Sequence, residues 1–157
     1  MENLLITRTN SKGLFMDDLN SLDFTMIKQK LKDNEEGPGW SPLQCEATEK
    51  EYKRFLALKR SYPEKDIVPH RMVDQFWHQH ILDTEKYALD CDMIFGKFLH
   101  HYPYFGMNGE QDAQNLTNAF EETKSLYKKS FNDEYLGVAS RCQAPKCRTQ
   151  CKPMKCK

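Results

Sequence analysis

Val73-Asp74-Gln75-Phe76-Trp77-His78-Gln79-His80-Ile81-Leu82-Asp83-Thr84-Glu85-Lys86-Tyr87-Ala88-Leu89-Asp90-Cys91 is the stretch from which the architecture of this chain can be read. Val73, Phe76, Trp77 and His80 recur at the three- and four-residue steps that put side chains on one face of a helix. Pro69 suits the first helical position, because its missing N–H would be unpaired there in any case. Asp83-Thr84 offers a fresh cap. A second helix then turns Tyr87, Cys91, Ile94, Phe95 and Phe98 inward, until Gly96 or His100-His101-Tyr102-Pro103 ends it.

Working outward, the same period recurs. Thr48-x-x-Glu51 fits a capping box ahead of a stripe made by Tyr52, Phe55, Leu56 and Lys59, which runs up to Tyr62-Pro63. Phe24, Ile27 and Leu31 mark an earlier helix that stops before the Gly37-Pro38-Gly39 connector. From Glu110 a long helix carries Ala113, Leu116, Phe120, Tyr127 and Phe131 and ends by Gly137. The expected fold is mostly all-α: a compact bundle of about five helices over 21–137, with an irregular arm at 1–20 and a basic Cys-rich tail at 138–157. No alternating apolar run is long enough for a sheet core, although the first twenty residues leave room for a short hairpin.

A chain of 157 residues supports one core and not two full domains. Its 23 basic and 23 acidic residues cancel, so no global field favours nucleic acid or a membrane surface. The first residues, Met1-Glu2-Asn3-Leu4-Leu5-Ile6, lack a basic stretch and a long apolar run, which argues against a signal peptide or membrane span. The expected setting is therefore cytoplasmic and reducing, where clustered cysteines act as thiolates or metal ligands more often than as disulfides.

Side chains able to ligate metals or move protons are concentrated in two places. All five histidines, His70, His78, His80, His100 and His101, fall within 32 residues, and four of six cysteines fall in the last sixteen. At about 100° per residue His78 and His80 point about 200° apart, so an unbroken helix cannot offer both to one ion. Asp74 lies one turn before His78 and can accept its imidazole N–H, the arrangement by which carboxylates orient metal-bound or catalytic histidines. His80 faces with Val73, Phe76 and Trp77 toward the core, where a buried neutral imidazole is the competing reading. His100 and His101 follow the helix that carries Cys91 and could return to the end of the preceding helix that carries His78 or His80. The expected metal ligands of this segment are thus His78, His80, His100, His101 and Cys91, with Asp83 or Asp90 as supplementary carboxylates. Zinc or copper suits such a set, with iron ranked below them, and no nucleotide cofactor is expected because no phosphate-cradling glycine loop is present. The surrounding aromatic residues recur at helical spacing and read as core.

The tail spaces its cysteines as Cys142-x4-Cys147-x3-Cys151-x4-Cys156, among six basic residues and no acid from Arg141 onward. Four thiolates can hold zinc or copper(I), and the lysines would lower their pKa. Zinc ribbons usually use two-residue spacers, so two disulfides and free or modified thiols stay open as alternatives. The charge could draw a protein partner or phosphates, but without interleaved aromatic residues it would not read bases by stacking.

The run Asp74-x-x-Trp77-His78-x-His80-x-Leu82, followed by Tyr87-x-x-Asp90-Cys91 and Phe95-Gly96, resembles the glycine-rich domain-containing protein-like (GRDP-like) domains of plants, fungi and bacteria. The resemblance covers about 65–106, and 20–135 as a domain. It implies a small helical domain that, in plant members, accompanies other modules with proposed roles in development and stress, and in some cases RNA-binding regions. Its matching positions are Asp74, Trp77, His78, His80, Tyr87, Asp90 and Cys91, while the glycine-rich tail of long members is replaced here by a cysteine-rich one.

The expected function is an intracellular, non-enzymatic helical module that binds a transition metal through Cys142, Cys147, Cys151 and Cys156, with the histidine segment as a second site, and presents the tail to a partner. Two alternatives stand beside it. One is a metal-dependent enzyme centred on Asp74, His78, His80 and His100 or His101; the other is a substrate protein whose tail cysteines are modified by a partner enzyme. The residues leave open whether the chain is an enzyme.

Overall fold

The computed structural model of the chain describes residues 15–135. Among these residues six helices account for 65% of positions and no strand occurs, the all-α bundle that the periodicity predicts. They are α1 (Asp17–Asn20), α2 (Thr25–Lys32), α3 (Pro42–Ser61), α4 (Arg71–Leu82), α5 (Thr84–Phe95) and α6 (Gly109–Phe131). α1 lies inside the stretch read as an arm; four residues anchored by the buried Leu19 are too few to show a period. The hairpin considered for the first twenty residues falls largely outside the described residues, as do the tail cysteines Cys142, Cys147, Cys151 and Cys156.

α3 is the central helix. α1, α2, α4 and α6 all pack on it, and α5 packs on α4. Its middle turns are buried nearly all round, with Tyr52, Phe55, Ala57 and Leu58 fully inaccessible, as a helix surrounded by others requires. Phe76 of α4 meets Phe24 and Tyr52 at ring-centroid distances of 5.3 and 5.0 Å. Each such side chain contributes about 1.5–3 kcal/mol on leaving water.

Two helix starts differ from the sequence reading. α3 begins at Pro42, not after Thr48: the Ser41 hydroxyl accepts the Gln44 N–H at 3.1 Å, and the Gln44 side chain accepts the Ser41 N–H at 2.9 Å. Ser41-Pro42-Leu43-Gln44 combines the box with a proline at the first position, and starting there adds nearly two turns of backbone hydrogen bonds that a start at Thr48 would forgo. Thr48 is instead fully buried inside the helix. α4 begins at Arg71 because His70, not the residue before Pro69, caps it: His70 Nδ1 accepts the Val73 N–H at 3.4 Å. That leaves the proton on Nε2, which donates to the buried carboxylate of Glu51.

Asp83 both closes α4 and opens α5, so the two helices form a tight hairpin. α5 stops at Gly96, whose φ of 67° is the left-handed conformation that ends many helices. Phe98, expected on the inward face, is 47% exposed because the helix has ended before it. From there the chain folds back over α4 toward α6.

Candidate metal centre

The return of residues 97–108 over α4 is held by a relay of hydrogen bonds. Trp77 Nε1–H donates to the Tyr87 hydroxyl at 3.0 Å, and that hydroxyl donates to the Leu99 carbonyl at 2.5 Å. Burial pushes the Tyr87 phenol well above its ordinary value, so it stays a donor. Farther along, the Asp112 carboxylate accepts the backbone N–H groups of Gly106 at 2.7 Å and Asn108 at 3.1 Å. The loop is thus tied down on both sides of His101, whose ring lies 4.3 Å from that of Trp77.

This anchoring brings His101 against the exposed flank of α4. His101 Nε2 stands 3.1 Å from His78 Nε2 and 3.1 Å from Asp74 Oδ1, while His78 Nε2 stands 3.5 Å from Asp74 Oδ2. The three ligand atoms of Asp74, His78 and His101 lie within 4.8 Å of one another. Ligands bonded to one tetrahedral zinc at about 2.0–2.1 Å sit about 3.3 Å apart, a spacing that His101 Nε2 approaches with His78 Nε2 and with Asp74 Oδ1, while His78 approaches the other carboxylate oxygen. Asp74 is fully buried, and its Oδ2 has no hydrogen-bond partner. His78 Nε2, at 3.5 Å, is too far for a good hydrogen bond to that oxygen, so a cation between the two would satisfy it better. The His78 side chain is 40% exposed, against 10% for His101 and 1% for Asp74, so the cluster opens to solvent on the His78 side.

The other predicted ligands lie elsewhere. His80 points into the core, where Nδ1 meets the Tyr52 hydroxyl at 2.8 Å and Nε2 meets Asp90 Oδ2 at 2.8 Å. Burial lowers the His80 pKa, with Asp90 opposing, so the ring is neutral; Nε2–H donates to the carboxylate and Nδ1 accepts from Tyr52. Lys86 completes the set with an ion pair to Asp90 at 2.8 Å. Both His80 nitrogens are therefore engaged in a polar network within the bundle. His100 is exposed and rests against Phe98, at a ring separation of 4.9 Å, while His101 beside it turns inward. Cys91 is buried between α5 and the loop, and burial pushes its thiol up, away from the thiolate a metal would need. Asp83 lies at the α4/α5 turn and is exposed.

Two features went unassigned from sequence. One is the buried pair of Glu51 and His70, which ties α3 to the start of α4 beside Tyr135, whose hydroxyl bonds the Val68 carbonyl and the His70 N–H. The other is Lys59. It stands on the apolar stripe of α3 with Tyr52, Phe55 and Leu56, and a lysine in that register was the available signal. Its ammonium lies over the rings of Phe55 and Trp77, 5.6 Å from each centroid.

No helix among the described residues is long and apolar enough to cross a membrane. No curated protein and no solved structure matches the chain. A family model does: the one described as UCP032817-like matches residues 19–129, and this corrects the GRDP-like membership that the Trp77-His78-x-His80 motif implied.

Proposed function

The chain belongs to the UCP032817-like family, and we propose that its helical domain binds one divalent transition-metal ion through Asp74, His78 and His101. The observation that carries this reading is the convergence of two imidazole nitrogens on a fully buried carboxylate, one oxygen of which makes no hydrogen bond and meets only His78 Nε2, at 3.5 Å. Two imidazoles and one carboxylate form a borderline-to-hard donor set that accepts zinc or iron(II) and disfavours copper(I). Among the described residues three ligands converge, which would leave at least one coordination position on the half-exposed His78 side. Structural zinc sites are closed by four protein ligands, whereas sites that handle a water or a substrate keep a position free. A position open to solvent favours a working metal over a purely structural one and supports the metal-dependent alternative, with His101, and neither His80 nor His100, beside Asp74 and His78.

The tail remains a second metal-binding proposal, resting on the spacing of Cys142, Cys147, Cys151 and Cys156. A cytoplasmic, reducing setting and presentation of the basic tail to a protein partner belong to that same proposal. The two metal readings separate in one experiment. In the full chain carrying all four tail cysteines as serine, zinc titration followed by calorimetry is expected to give one site per chain, lost on His78→Ala and on His101→Ala and kept on His80→Gln. Absence of binding to the folded protein, or a stoichiometry indifferent to both substitutions, overturns the assignment. Restoring the cysteines then reads the tail alone: extra metal supports it, and an unchanged stoichiometry removes it.

A further inference from the structure

Beside Trp77 and His101 the fold forms an open-mouthed cavity of about 280 Å³. Ile67, Pro69, Trp77, Phe105 and Leu116 give it an apolar floor, His100, His101 and Tyr102 add polar groups, and Lys59 lines it with its ammonium over the Trp77 ring. Among the described residues Lys59 Nζ meets no carboxylate at ion-pair distance; it rests on aromatic faces instead. Such contacts return less than the desolvation of an ammonium costs. Burial accordingly pushes the Lys59 pKa down, with the exposed Asp66 at the rim opposing. Asp66 is solvated and its pull is screened, so a carboxylate placed inside the cavity would pair with Lys59 more strongly than Asp66 does.

We propose that this cavity is a binding site for a small apolar monocarboxylate, its hydrocarbon body against Trp77, Phe105 and Leu116 and its carboxylate paired with Lys59. The volume lies just below the usual range for small-molecule pockets, about 300–1,000 Å³, which limits the occupant to something near a single substituted ring. One cation suits one carboxylate; a phosphate dianion would call for several donors. The site goes beyond the metal reading and does not need the ion, although His101 lines the cavity and belongs to the metal cluster as well. An occupant would therefore sit beside the metal.

Benzoate is the probe, titrated calorimetrically into the full-length, chelator-treated, metal-free protein, with the neutral benzamide as its control. Expected is saturable one-site binding of benzoate at least tenfold tighter than benzamide, a difference of about 1.4 kcal/mol. Lys59→Met keeps the buried stem and should lose at least tenfold, whereas Lys59→Arg keeps the charge and should retain binding. Equal affinity for benzoate and benzamide, no saturable benzoate binding by the folded wild-type chain, or undiminished binding by Lys59→Met overturns the proposal. Should Lys59→Met not fold, the contrast between the two ligands on the wild-type chain decides. Because no metal is present, this outcome and that of the zinc titration are independent of each other.

Discussion

His101 Nε2 stands 3.1 Å from His78 Nε2 although 23 residues separate them along the chain. Two imidazole nitrogens at that distance repel if both carry protons, and share one hydrogen bond at best if one does. Both also approach Asp74. A divalent ion held by Asp74, His78 and His101 would resolve the conflict by accepting a lone pair from each. Zinc is therefore expected to stabilise the tail-serine chain against thermal unfolding by about 2.7 kcal/mol at a free concentration a hundred times Kd. His101→Ala should abolish that increment. A melting temperature that does not rise with zinc, measured by differential scanning calorimetry, argues against the centre.

His80, only two residues from His78, should behave in the opposite way. Its ring is clamped between the Tyr52 hydroxyl and Asp90, each at 2.8 Å. Tyr52→Phe keeps the ring but strips the donor from a buried nitrogen, which costs about 1–3 kcal/mol of stability. Zinc stoichiometry should be unchanged. Urea unfolding monitored by circular dichroism reads the first effect and metal titration the second; loss of zinc in this variant would join His80 to the site.

How much of this was legible depended on whether the signal was local. The pairing of Asp74 with His78 is an i,i+4 relation, and the divergence of His78 from His80 follows from helix geometry alone; both can be read from the sequence. The third ligand could not be assigned between His100 and His101. That choice is made by the bond from Tyr87 to the Leu99 carbonyl and by the Asp112 clamp, contacts between segments no short pattern links. Cys91 looked like a ligand because it shares the inward face of α5, yet the same inward position buries it and keeps its thiol protonated. The α3 cap was misplaced for a different reason. Two capping boxes compete there, and the one with proline beside it prevailed.

Acid stability should carry the imprint of Glu49. Burial opposes its ionisation, but hydrogen bonds from Lys28 and Lys53 outweigh that and hold its pKa below the ordinary 4.5. As pH falls below 4.5 the unfolded chain takes up this proton first, so the contribution is complete above that pH and is lost as pH drops through the folded value. Glu49→Gln should cost about 1 kcal/mol at pH 7, with the difference from wild type shrinking in acid. Denaturation midpoints measured across that range check it; a gap that widens as pH falls would reverse the sign.

Gly106 tests whether the loop positions the metal ligand. Its φ of 84° is one that other residues adopt only under strain, and a Cβ there would fall 2.5 Å from Leu116 Cδ2. The φ cost stays whatever the space, and although Leu116 Cδ2 could swing away, Leu116 Cβ at 3.1 Å also crowds the new methyl while the Gly106 N–H is held by Asp112. Gly106→Ala is expected to destabilise the fold by about 1–3 kcal/mol. The loop displacement should also weaken zinc binding about tenfold, since His101 lies five residues upstream in the same segment and a ligand shifted by a fraction of an ångström no longer meets the geometry that His78 and Asp74 set. A variant of lowered stability that still binds zinc with wild-type affinity would show that His101 is held by the Leu99 anchor alone.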